Sequence, residues 1–373
     1  MKTADYRFPL ALTFIDGIGS IKAKNLIAYL GSAQAVFEER KAVLSKIPGI
    51  RNTRFSKKNL QNALAKAEIT LEQITKENHR IFYYLDDNYP RRLKQTEDGP
   101  VFLFGKGNFD SNPPRTVAVV GTRNATSYGK QICSNLITTL QNKQITVISG
   151  LAHGIDGITH QLCVKENIPT IGVLGHGLDR IYPAAHKRLA EKMLENGGLL
   201  TEYIPGTIPD SVNFPMRNRI VAGLADAVII VESDTKGGSL ITCEFANDYN
   251  KDVFAFPGSV YSQYSRGCNR IIAESKAHLL TSPEQLLTYM GWTPEKNETG
   301  EQLALSEALD HNEQLIFELL REKEKLSLDA ISVISQIPRA QLSSLLLKME
   351  LSGFLQALPG KRYQLGEKLL VRC

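Results

Sequence analysis

Seven short apolar runs in the middle of this chain leave little choice of fold. They are TVAVVG (116–121), ITVISG (145–150), PTIGVLG (169–175), GLLTEY (198–203), AVIIVE (227–232), DVFAFPG (252–258) and AHLLTS (277–282). Most are Val- or Ile-rich without polar alternation, which suits strands covered on both faces, as in a parallel sheet. The segments between them, such as YGKQICSNLITTLQ and GITHQLCVKEN, carry helical periodicity. Strands alternating with helices predict an α/β core with a doubly wound, mostly parallel sheet over residues 81–290. RIFYYLDDNYPRRLKQTEDGPVFLFGKG, at its start, supplies one or two additional strands.

The flanks read differently. Residues 1–80 predict a small all-α domain: TFIDGIGSIKAKNLIAYLG carries an apolar face broken by a Gly-Ile-Gly turn, and LSKIPGI repeats such a turn about thirty residues later. These units resemble helix-hairpin-helix modules, in which turn amides and the next helix N-terminus hold a DNA phosphate. Charge is concentrated there. Residues 1–80 hold 14 basic against 7 acidic side chains, the remainder 30 against 32, and residues 40–58 contain seven basic residues and no acid. A polyanionic partner and a merely solvated helical surface fit this equally well. Beyond a polar linker at 291–304, three helical segments and a hairpin turning at Pro359-Gly360 read as a winged helix over 305–373. Arg339 to Ser352 would be its recognition helix. Nine basic and nine acidic residues there leave no basic stripe, so protein contact stands beside DNA reading.

Other classes are disfavoured. No apolar run is long enough to span a bilayer. The N-terminal segment has an acid and an arginine before its short apolar patch and no small-residue cleavage site, which argues against a secretory signal. Cys133, Cys163, Cys243, Cys268 and Cys373 form no Cys-x-x-Cys pair and no metal-ligand spacing. Free thiols in a reducing cytoplasm are expected, with no metal and no cofactor. The phosphate-loop signature Gly-x-x-x-x-Gly-Lys-Ser/Thr is absent, and VVGTRNATSYG lacks the dinucleotide-binding glycine spacing.

In an open α/β sheet the ligand sits outside the C-terminal ends of the strands. VVGTRNATSYG, SGLAHGID, GHGLDRIYP and ESDTKGGSLIT all lie at such ends, where small residues admit a ligand to the backbone and helix N-termini favour an anion. Arg123, Arg217, Arg219 and Lys236 approach the same edge from different loops, with Ser149 and Ser239 as hydroxyl donors and Phe214 as a face for a base. A structural reading competes: Asn218 and Arg219 capping loops or pairing with Glu202, Glu232 or Asp226.

VAVVGTR, SGLAHGID, GHGLDRIYP, GLLTEY, NFPMRNRIVAGLADAVIIVE, KGGSLIT, VFAFPG and GCNRII occur in this order, and together they resemble the bacterial DNA-processing protein A family, DprA or Smf. The resemblance implies a non-enzymatic single-stranded DNA-binding protein of natural transformation, one that protects incoming DNA and loads the RecA recombinase. It implies an extended Rossmann-like core, and a homodimer formed through the later part of that core. It also implies a DNA pocket of Gly121, Thr122 and Arg123 with Phe214, Pro215, Arg217, Asn218 and Arg219, to which Ser149, Gly150, Lys236, Gly238 and Asn269 are added. The chain departs from the family pattern at His186, at the PDSV preceding Asn213, and in its TKGGS loop.

Two other functions fit parts of the chain. KGGSLITCEFA, with Gly237, Gly238, Thr242 and Glu244, partly resembles the signature of nucleotide phosphoribohydrolases, but lacks its proline and gives NFPMRNR no role. His153, Asp156 and Asp179 are further acid–base candidates without a fixed triad spacing. A sequence-specific transcription factor would rest on the neutral winged helix alone.

Overall fold

The computed structural model describes residues 5–44, 46–50, 55–293, 310–323, 325–352 and 354–365. Residues 1–292 belong to one compact unit and 293–373 to a second. Arg51 and Arg54 of the basic run, most of the polar linker, and Cys373 fall outside the described residues.

The first unit is built on a nine-stranded sheet: β1 (Arg80–Tyr83), β2 (Phe102–Gly107), β3 (Arg115–Val120), β4 (Ile145–Ser149), β5 (Thr170–Val173), β6 (Gly197–Thr201), β7 (Ala227–Ile230), β8 (Asp252–Ala255) and β9 (His278–Leu279). Their order across the sheet is β1-β2-β6-β5-β4-β3-β7-β8-β9. From β6 to β9 all pairings are parallel, while β1–β2 and β2–β6 are antiparallel. Every parallel step is bridged by a helix, as a crossover between parallel strands requires. The mostly parallel, doubly wound sheet expected from the apolar runs is therefore what the chain forms.

Alternation along β3 shows why those runs are apolar throughout. Val117 and Val119 join a buried cluster on one face with Ile132, Leu136 and Phe254, while Ala118 and Val120 join another with Ile220, Val228 and Ile230. Helices cover both faces, so neither set of side chains tolerates a polar substitution.

Among the described residues five helices precede β1, the longest being Lys57–Lys76, whose first turn is capped by the Ser56 hydroxyl accepting from the Asn59 amide at 3.1 Å. They do not close a core among themselves alone. Leu10, Leu26 and Ala67 belong to one buried cluster with Tyr83, Phe102 and Phe104, and with Leu199 of β6 and Met193 of the helix before it.

The second unit contains helices His311–Lys323, Leu328–Ser335 and Arg339–Leu351, and a sheet of β10 (Lys325–Ser327), β11 (Leu355–Leu358) and β12 (Arg362–Leu365) in the order β10-β12-β11. The hairpin turns at Pro359-Gly360 as expected, and the short β10 is an addition to that expectation. Ile316, Leu320, Ile331, Leu342, Leu346 and Met349 form its own core.

Cys133, Cys163, Cys243 and Cys268 are buried free thiols, and burial pushes Cys133 up to about 12. Among the described residues no helix is long and apolar enough to cross a membrane.

Candidate nucleic-acid interface

The return crossover decides where a ligand can sit. The chain leaves β3 for β4 on one side, and β7 arrives on the other, so the loops after β3 and β7 part and open a crevice. The helix Asn213–Leu224 joins β6 to β7. It must begin at the C-terminal edge of the sheet to reach the start of a parallel strand, which brings its first turn to the crevice.

The crevice has a volume of about 670 Å³. Gly121, Thr122 and Arg123 line it from the β3 loop, Gly238 from the β7 loop, and Phe214, Pro215, Arg217 and Asn218 from the crossover helix. These expected residues thus meet in one place. Gly154, with φ of +75°, packs against the β3 loop: a side chain there would collide with the Thr122 and Arg123 backbone.

Arg123 is exposed, and its guanidinium carbon lies 5.9 Å from the centroid of the Phe214 ring. Among the described residues no carboxylate forms an ion pair with it. Phe214 is half-buried and tilts 32° against Tyr182, ring centroids 5.6 Å apart. Cation and aromatic faces side by side are the equipment of a site for a charged backbone bearing planar bases.

Arg217 is only 4% exposed. Its Nε donates to Asn218 Oδ1 at 3.2 Å, and its Nη1 donates to the carbonyls of Gly150 and Val173, just past β4 and at the end of β5. No acceptor among the described residues takes Nη2, which leaves that nitrogen for a ligand. A Cβ at Gly150 would come 2.5 Å from the Arg217 guanidinium, so a side chain there would displace that group. Asp156 accepts from the amides of Gly150 and Ala152 at 3.1 and 3.4 Å. Burial raises the Asp156 pKa and lowers that of Arg217, each charge working against the other's shift.

Arg219 does not join them. Two residues along a helix is about 200° of rotation, so it points away from Arg217. It is 5% exposed, its Nη2 donates to Glu202 Oε2, and its Nη1 donates to the Asp98 carbonyl at 2.7 Å. The expectation that Arg219 faces the crevice is corrected accordingly, and the ion pair with Glu202 is the arrangement found. Asp226 instead binds Arg92 at 2.7 Å, and Glu232 accepts from the Thr126 amide and hydroxyl at 3.0 and 2.6 Å.

Three further expectations are revised. Ser149 is fully buried and its hydroxyl donates to the Val119 carbonyl at 2.6 Å, so it has no proton for a ligand. Asn269 is occupied with Gly258, donating to its carbonyl at 2.9 Å and accepting from its amide at 3.1 Å. Lys236 is exposed and stands outside the crevice lining. Asn218 serves the wall as well, donating to the Gly238 carbonyl at 3.2 Å.

For the hydrolase reading, Thr242 lines the crevice but Glu244 is exposed and outside it. Asp179 holds the Gly206 amide at 2.9 Å and pairs with Arg180, a turn-holding role. Tyr182 was missed. It lies within GHGLDRIYP, lines the crevice and is 49% exposed. Its position past the end of a strand was the available signal.

Residues 80–291 match the family model described as DNA recombination-mediator protein A, and residues 301–361 match one described as DprA winged helix domain. The chain belongs to the DprA/Smf family. Similar proteins include the Smf protein of Synechocystis, 30% identical over 98% of this chain and 100% of the relative. DprA of Streptococcus pneumoniae is 44% identical over 55% of this chain and 72% of its own. The X-ray structure of DprA from Streptococcus pneumoniae superposes with a TM-score of 0.63 at 34% identity, covering 76% of this chain and 95% of that one. A Helicobacter pylori DprA structure, described for its single-stranded DNA binding mode, superposes at 0.52 with 28% identity over 57% and 95%. The family is one of DNA-processing recombination mediators, not of enzymes.

Proposed function

We propose that the crevice binds single-stranded DNA, with Arg123 and the free Nη2 of Arg217 on phosphates and Phe214 under a base. The observation that carries this reading is the exposed Arg123 guanidinium beside the Phe214 ring, unpaired among the described residues, at the switch point of the sheet. A charged fork and an aromatic face together recognise a backbone with unpaired bases and read no base edge, so sequence preference is slight. The Helicobacter pylori relative supports the choice of strand.

The protein, in this reading, acts in the cytoplasm as a homodimer, protects incoming DNA during natural transformation and passes the strand to RecA. The family's description as a recombination mediator supports that step.

Fluorescence anisotropy of a labelled oligonucleotide, single- against double-stranded at two salt concentrations, tests the binding. Single-strand preference that weakens with salt at a log–log slope of about −0.7 per neutralised phosphate is expected. Equal affinity for duplex would refute it. RecA assembly on strands already coated with the protein tests the transfer.

A further inference from the structure

We propose that Tyr182 is a second stacking residue of this crevice, and that Tyr182 and Phe214 hold two neighbouring bases splayed from the parallel stack of a duplex. The inference rests on the single-strand reading above.

Tyr182 comes from the loop after β5, and Phe214 comes from the crossover helix with its ring against Gly175 of that same loop, so the two rings line the crevice side by side. An aromatic ring left 49% exposed beside a second, half-buried ring is apolar surface without a protein cover. The crevice it lines already presents Arg123, so the natural cover is a flat apolar group attached to an anion. Unpaired bases on a sugar–phosphate chain have that form.

The inclination adds selectivity. The two ring centroids are 5.6 Å apart and the rings are inclined by 32°. Bases lying flat on one ring each take up the 32° inclination between the rings, so they are splayed from the parallel stack that pairing requires. The step accepts a splayed single strand and rejects duplex by geometry, in addition to any charge effect.

A strand with two adjacent 2-aminopurines shows an exciton-coupled circular dichroism band while those bases remain stacked. Wild-type protein at saturation is expected to abolish the band. Tyr182→Leu should bind about tenfold more weakly, retain the salt slope, and leave the band in place at saturation; Tyr182→Phe should restore both properties. A second measurement uses only the wild-type protein: a strand with abasic sites at every other position, which presents no adjacent pair, should bind about tenfold more weakly than an intact one. Equal affinity for those two strands overturns the proposal, as does loss of the band with Tyr182→Leu. Wild-type protein that binds no single strand refutes the crevice reading itself, and this inference with it.

Discussion

In the winged helix Arg339 stands 2.9 Å from Asp329 and Lys348 stands 2.7 Å from Glu313, whereas at the crevice Arg123 stands beside an aromatic ring. Both regions offer exposed cations on or next to a helix, and the first is even placed on the element that reads DNA in other winged helices. Their partners separate them. A cation already matched by a carboxylate has little attraction left for a phosphate, while one held near a ring quadrupole keeps most of its charge for a ligand. The outward face of the winged-helix recognition element is also apolar in part, with Leu347 56% and Leu351 81% exposed. Counting basic residues would rank the two regions alike; tracing their acid partners does not.

The largest effect should come from a cation that is paired and buried. Arg219→Ala leaves the largely buried Glu202 carboxylate, 16% exposed, without its guanidinium, and the expected loss is about 3 kcal/mol of folding stability in urea unfolding. The salt slope of DNA binding by the folded fraction should not change. A changed slope would return Arg219 to the set of phosphate contacts.

Arg123→Ala should do the reverse. Unfolding should be as in the wild type, single-strand affinity should fall by about tenfold or more, and the slope should shrink by about 0.7. Wild-type affinity in this variant, read by anisotropy, would remove the contrast between the two regions.

Acid should distinguish the units next. His160 is fully buried against Thr170 of β5 and burial lowers its pKa to about 3, while the second unit buries no histidine among the described residues. Between about pH 6.5 and 3 the unfolded chain takes a proton that the folded one refuses, so stability falls as pH is lowered across that window. The expected slope from this group is about 1.4 kcal/mol per pH unit in the α/β transition. His160→Gln should flatten it, and urea melts followed from neutral to acid pH would show whether it does.

The smallest effect is expected from Arg339→Ala combined with Lys348→Ala, with single-strand affinity within about twofold of wild type. A tenfold loss by anisotropy would place the winged helix on the DNA and end the distinction drawn above.

The central strands were readable because they are buried on two faces and so are largely apolar, as Val117 to Val120 show, whereas the edge strand β9 is exposed. The sheet edge holding the site followed from strand direction. Assigning both Arg217 and Arg219 to one crevice failed for a reason present in the sequence: two residues apart on a helix cannot share a face. Ser149 and Asn269 failed differently. Their hydrogen-bond partners, Val119 and Gly258, come from neighbouring strands or loops that only the folded chain brings close. Tyr182 was obscured because loops after strands carry no periodicity from which a direction can be taken.

The buried cluster joining Leu10 and Leu26 to Met193 and Leu199 has a consequence for synthesis. Translation proceeds from the N-terminus at about 5–20 residues per second, so those first helices leave the ribosome on the order of ten seconds or more before their last packing partners exist. During that interval the helices have one another, and then Tyr83 and Phe102, as native cover, but the cluster is still incomplete. The segment is thus an expected client of nascent-chain chaperones, and a fragment starting at β1 would bare the complementary side, including Tyr83 and Phe102.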